Sequence, residues 1–515
     1  MKPIRLMSGF LTVGVWTMLS RVLGFVRDAM ILAYLGTGPA YEAFVVAFRL
    51  PNMFRRFFAE GAFNTAFVPI FSKKLEGEEG ATRFANEAFA GLATVLIVLT
   101  LVALAAMPWM ILGLASGFAG QPQFPLAVDF GRICFPYILF ISLAALLSGV
   151  LNATGRFAAA AAAPVLLNIL LVGGMAAAAM AGLPIARALI WSIPLAGVAQ
   201  LVLVWRAAEK AGIRIRPKRP RWSDDMRQLV RVAVPAALAG GVVQINLLVG
   251  QQVASYFDRA VGWLFAADRL YQLPLGVVGI AISVVLLPDL SRRLKAEDGA
   301  GSRDALSRAA EMALMLTIPS AVALVVIPLP LVSVLFERGE TTAADSRAIA
   351  LAVAVYGLGL PAFVLQKILQ PLYFAREDTR SPFRYALAAM VVNAALAIGL
   401  APVIGWIATA IATTAAGWAM VVLLHLGARP MGEFVKFDAR FRRRLPRIVL
   451  ASAIMGAALW PAAQVLDPWL HASGVRYVAL LLLIAFGSVV YFTAGHLVGA
   501  VRFSEIKNTV RRRRG

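Results

Sequence analysis

Six arginines sit where apolar sequence should exclude them. Arg21 and Arg27 lie in Ser20-Arg21-Val22-Leu23-Gly24-Phe25-Val26-Arg27-Asp28; Arg49, Arg55 and Arg56 follow in the next apolar segment; Arg269 lies in Ala267-Asp268-Arg269-Leu270. An arginine at the middle of a lone membrane-spanning helix costs roughly 2.5–3.5 kcal/mol to insert, so together these are too costly to face lipid. They should line a wet cavity. A guanidinium fork meets phosphate oxygens two at a time, and several together suit a diphosphate better than a single carboxylate. The alternative is structural: Asp28, Glu42, Glu60 and Asp268 could each neutralise an arginine, and Arg55 and Arg56 could snorkel to a surface. Pairing inside the protein still leaves positive charge over. The residues alone keep both readings open.

Helical spacing says how the charges are presented. At about 100° per residue, Arg21, Gly24 and Asp28 share one face, with Arg27 about a quarter-turn away. In the second segment Glu42, Arg49 and Arg56 recur at seven-residue spacing. Pro51 removes a backbone bond there and should kink the helix, which suits a border to a cavity. Arg132 and Lys367 read as further buried cations with structural roles. Asn246 and Asn393 are polar points in apolar spans, expected to bond between helices.

The frame around these charges is a membrane protein. Sixty per cent of the 515 residues are hydrophobic and the mean hydropathy is +0.78, beyond what a soluble fold can bury. Apolar runs recur down the whole chain, giving about fourteen candidate spans. They centre near 10–34, 40–71, 84–114, 124–152, 158–181, 184–206, 229–255, 260–289, 307–335, 346–374, 382–403, 405–427, 446–466 and 476–500. No small-x-small cleavage site follows the first apolar run, and Arg21 and Arg27 continue it, so it reads as an uncleaved span. The expected divisions are 1–208 and 229–428 as two six-helix lobes, 446–502 as a C-terminal helix pair, basic loops at 209–228 and 429–445, and a basic tail at 503–515.

The net charge of +22 has a topological cause. About 36 of the Lys and Arg residues fall in one set of alternate loops and the termini, about 4 in the opposite loops and about 9 in spans, which predicts both termini in the cytoplasm. Spread over loops in this way, the charge forms no single nucleic-acid-binding face. The one cysteine, Cys134, excludes an internal disulfide and reads as a buried, inert thiol. Three histidines and no Cys/His cluster give no expectation of a metal. The loops are too short to hold a catalytic domain, so an enzyme is not expected. Ala47-Phe48-Arg49-Leu50 and Pro69 to Leu75 are echoed by Ala267 to Leu270 and Pro288 to Leu294, at offsets of 220 and 219 residues. Six spans per copy would set the two halves parallel about an axis along the membrane normal.

Ser20 to Asp28, Leu50-Pro51-Asn52, Arg55 to Phe63 and Ala267 to Leu270 closely resemble the MurJ/MviN family of lipid II flippases, within the multidrug and oligosaccharidyl-lipid exporter superfamily. The resemblance implies an all-α polytopic membrane protein of the MATE-like type, with about fourteen transmembrane helices: two six-helix lobes in parallel pseudo-two-fold repeat plus two C-terminal helices. It implies alternating access that carries the undecaprenyl-diphosphate-linked peptidoglycan precursor from the inner to the outer leaflet of the bacterial inner membrane. By motif match, Arg21, Arg27, Arg55 and Arg269 would hold the headgroup, Asp28 would pair near Arg27 and Arg269, and Asp268 and Glu42 would serve as gate or ion-pair acids. Glu42 stands where family members often carry Asp. The last two helices would offer an apolar groove to the polyprenyl tail or act as a scaffold.

The implied partners are lipid II, membrane lipids and neighbouring cell-wall synthesis enzymes, with the chain a monomer. No cofactor is expected. Without a Gly-x-x-x-x-Gly-Lys-[Ser/Thr] loop to bind ATP, the driving force would be the membrane potential or an ion gradient. The rival readings are an exporter of another polyprenyl-linked oligosaccharide, a drug/cation antiporter and a non-transporting scaffold. The antiporter would want an acidic cavity, and these charges are basic.

Overall fold

The computed structural model describes residues 3–55, 62–76, 80–216, 222–281, 292–293 and 299–501. Arg56, Glu60, Pro288 to Ser291 and the tail Arg511 to Arg514 lie outside the described residues, as does the side chain of Asn246. The described chain is helical throughout, with no strand among the described residues.

In order the helices are α1 (Pro3–Leu35), α2 (Pro39–Arg55), α3 (Ala62–Glu76), α4 (Ala81–Leu114), α5 (Gln123–Cys134), α6 (Tyr137–Ala153), α7 (Ala158–Ala181), α8 (Ile185–Lys210) and α9 (Asp224–Ala254). They continue as α10 (Ala260–Ala281), α11 (Gly299–Val326), α12 (Pro328–Phe336), α13 (Ala343–Phe374), α14 (Arg380–Ile404), α15 (Ala408–Ala428), α16 (Ala439–His471) and α17 (Arg476–Leu497). Among the described residues, nine helical stretches are long and apolar enough to cross a membrane. The chain is a multi-pass membrane protein. Helices dominate because only they satisfy every backbone group locally inside lipid.

Two spans read as continuous are broken. The 124–152 span divides at Phe135–Pro136, and the 307–335 span at Ile327, just before Pro328. In both, the proline cannot donate the next helical hydrogen bond.

The chain forms two compact units. The first comprises residues 1–262 and 339–341, the second 263–338 and 342–515. In the first unit α7 packs on α8 and α1, α2 on α5, and α6 on α8. α9, which the repeat places in the second half, packs on α3 and α4 in this unit. Small residues permit the closest approaches: a Cβ at Gly174 of α7 would collide with the Ser192 hydroxyl of α8. In the second unit α11 packs on α13 and α16, α14 on α15, and α16 on α17. One apolar cluster there joins Leu306, Leu314, Ile368, Leu372 and Leu424; another joins Met455, Leu459, Leu483 and Tyr491.

Prolines inside helices leave carbonyls that lipid cannot satisfy, and at three of them a neighbouring helix supplies the missing donor. Pro51 frees Ala47 O, which accepts from Cys134 Sγ at 3.4 Å. Pro108 frees Leu104 O, which accepts from Arg132 Nε at 3.3 Å. Pro319 frees Met315 O, which accepts from the Tyr491 hydroxyl at 2.6 Å. Each is a bond from another helix replacing the i to i−4 bond that proline abolishes. Cys134 is fully buried, as an inert thiol should be.

Helix ends are closed the same way. The last carbonyls of α1 are met by Glu340 N–H on Ala33 O at 2.9 Å and by the Thr341 hydroxyl on Leu32 O at 2.7 Å. At the end of α4, Gln251 and Gln252 of α9 donate to Leu114 O at 3.3 Å and Leu112 O at 3.4 Å. Just beyond, Gly117 N–H donates to Ser255 Oγ at 3.0 Å, and Ser116 Oγ lies 2.7 Å from the Tyr256 hydroxyl.

Candidate functional site

One polar cluster around a predicted site residue is built from α1 and α7. α7 is a run of Ala, Gly, Val, Leu, Ile and Met with one proline; its single hydrogen-bonding side chain is Asn168. Such small residues let α1 lie close, so a short amide reaches across. Arg27 donates from Nε and Nη2 to Asp28 Oδ1 at 2.9 and 2.7 Å. It donates from Nη1 to Asn168 Oδ1 at 2.9 Å. Asn168 Nδ2 in turn donates to the Ser20 carbonyl at 2.9 Å. The arginine and aspartate side chains are 12% and 11% exposed, so the pair is mostly dry without being sealed.

A guanidinium has five N–H donors. Three are taken here, which leaves two of Arg27's unengaged by the described residues. The group is charged, fixed in direction, and still able to bind.

The other predicted residues are placed as follows. Arg21 is exposed on α1, while Arg49 and Arg55 on α2 are half-buried. Glu42 is buried at 1% exposure, and its Oε1 accepts the Val261 N–H at 3.1 Å. That N–H belongs to the first turn of α10, where no intrahelical acceptor exists and a carboxylate is favoured. In the second unit Arg269 lays its guanidinium 4.3 Å from the centroid of Phe265, one turn earlier on α10. Asp268 accepts a hydrogen bond from Gln272 Nε2. Tyr271 packs against Tyr356 and Phe363, with ring centroids 5.1 and 5.6 Å away.

Two expectations are corrected. Arg132 and Lys367 are not buried; both are exposed on their helices. Sequence gives a residue's depth along a span but not which side of the helix it faces. Arg132 turns along the α4 surface to reach the carbonyl that Pro108 frees.

Chemically, the cluster can hold an anion without covalent change. A model of the family described as "Lipid II flippase MurJ" matches residues 31–480. The chain belongs to the MurJ family. Relatives described as "Probable lipid II flippase MurJ" occur in Rhizobium meliloti (strain 1021), 44% identical over 98% of this chain and 96% of the relative, and in Rhizobium tropici, 42% identical over 99% and 97%. The "Lipid II flippase MurJ" of Burkholderia cenocepacia is 33% identical over 93% of this chain and 94% of its own. A solved MurJ structure in an inward closed conformation superposes with a TM-score of 0.79 over 95% of this chain and 98% of that one, at 24% identity. An inward-facing MATE family transporter gives 0.68 over 83% and 100%, at 15% identity. At such identities these two likenesses speak for the fold.

Within this cluster, Asn168 is the residue that sequence reasoning passed over. Its signal was its isolation: the only polar side chain in a 24-residue helix.

Proposed function

We propose that the chain is a lipid II flippase, which moves the undecaprenyl-diphosphate-linked peptidoglycan precursor from the inner to the outer leaflet of the bacterial cytoplasmic membrane for cell-wall synthesis. It is a transporter and makes no covalent bond. The observation that carries this reading is full-length membership of the MurJ family together with an arginine in α1 that is oriented on both sides and keeps two donors for a ligand.

In this reading about fourteen spans form two six-helix lobes and a C-terminal pair, with both termini cytoplasmic as the basic loops favour. Arg21, Arg27, Arg55 and Arg269 hold the diphosphate and sugar headgroup through charge-assisted bonds. Asp28, Glu42 and Asp268 are the acids whose partners change as access alternates. The polyprenyl tail stays in lipid against the apolar surface of α16 and α17. The membrane potential or an ion gradient drives the cycle, at about 2.3 kcal/mol per charge per 100 mV. The working unit is a monomer, with cell-wall synthesis enzymes as neighbours.

Depletion of the protein in cells that hold no second flippase tests the function. Lipid II accessible at the outer leaflet should fall while total lipid II rises. Unchanged outer-leaflet lipid II would refute it.

A further inference from the structure

We propose that Asn168 is a positioning residue for substrate recognition: a neutral acceptor on α7 that aims Arg27 without cancelling its charge. The inference rests on the flippase reading and adds a residue that the arginine motif does not contain.

The direction of the amide follows from its two partners. The Ser20 main-chain carbonyl can only accept, so the NH2 group of Asn168 must face it, at 2.9 Å. A second contact from the same nitrogen, 3.4 Å to Ser20 Oγ, points the same way. The carbonyl oxygen is thereby turned onto Arg27 Nη1. Asp28 fixes the opposite side of the guanidinium through Nε and Nη2. Two helices thus hold the planar group from two directions.

The choice of an amide matters. A carboxylate at 168 could still accept from Arg27 but would lose the donor that meets the Ser20 carbonyl, and it would set two negative charges against one positive, repelling a diphosphate. An apolar residue would leave both Arg27 Nη1 and the guanidinium plane without a second restraint. Asparagine gives orientation and keeps the guanidinium's charge, so that its two remaining donors are presented as a fixed pair. A diphosphate offers several oxygens to such a pair, a monophosphate fewer.

The test uses the full-length protein in lipid nanodiscs and measures binding of farnesyl diphosphate and farnesyl monophosphate. Wild type should prefer the diphosphate, and Arg27→Ala should abolish that preference; if these two bind alike, the anion-site reading itself fails. Given that preference, Asn168→Asp should weaken diphosphate binding at least tenfold at unchanged thermal stability. Wild-type affinity in Asn168→Asp would overturn the positioning role while leaving the anion site standing. Should Asn168→Asp fail to fold, Asn168→Ser, which keeps an acceptor, must bind the diphosphate at least threefold tighter than Asn168→Ala; equal binding would overturn the inference.

Discussion

The Tyr491 hydroxyl of α17 donates to the Met315 carbonyl of α11 at 2.6 Å, and it does so four residues before Pro319. The bond restores across two helices what proline removes within one. Removing the hydroxyl leaves a carbonyl unsatisfied in an apolar cluster, which costs about 1–3 kcal/mol. Tyr491→Phe should therefore lower the thermal stability of the purified protein. In a Pro319→Ala background the helix recovers its own donor, and the same substitution should cost less than half as much. Equal losses in both backgrounds would show that the hydroxyl does not serve this carbonyl.

A second prediction concerns Gly117, at the meeting of the ends of α4 and α9. A Cβ there would strike the Ser255 carbonyl group and stand 2.5 Å from Tyr256 N. Backbone on both sides leaves nothing flexible to move aside. Gly117→Ala should separate the two ends, seen as a longer and broader distance between spin labels at Gln121 and Asp258, both exposed. An unchanged distance distribution would contradict this contact.

The legible part of the fold was the part set by local composition. Apolar runs marked the chain as a helical membrane protein because lipid leaves the backbone no other choice, and Pro51 was readable as a defect in α2. What cured the defect was not readable, since Cys134 is 87 residues from Ala47. Glu42 meets Val261, 219 residues on, for the same reason. Hydropathy also cannot tell which way a residue faces, so Arg132 and Lys367 were read as buried when both are exposed. Arg27 and Asp28 were set a quarter-turn apart by helical spacing, yet the long arginine side chain bends back to its neighbour. Asn168 carries no charge, and the sequence marks it only as one amide in an apolar helix.

A third prediction follows from the ion cluster that fastens α16 to the second unit. Glu311 on α11 meets Arg308 at 2.8 Å and Arg440 at 3.2 Å, and is also paired with Arg444. Asp438, which caps α16 through the Phe441 N–H at 2.6 Å, pairs with Arg308. Glu311 and Arg444 are each only 7% exposed. Removing one partner of such a buried pair costs about 3–5 kcal/mol because a charge is left uncompensated. Glu311→Gln should lower thermal stability markedly and expose the 429–438 segment to protease. Wild-type stability and resistance would show that the arginines find other partners.

The central claim is that an oriented arginine in α1 recognises the phosphates of a lipid-linked precursor. The most direct measurement is outer-leaflet lipid II in cells whose only copy carries Arg27→Ala, with the protein quantified in the membrane. At wild-type protein levels, outer-leaflet lipid II should fall at least tenfold, corresponding to about 1.4 kcal/mol or more of lost recognition, while total lipid II accumulates. Wild-type outer-leaflet lipid II from a fully expressed Arg27→Ala protein would contradict the account.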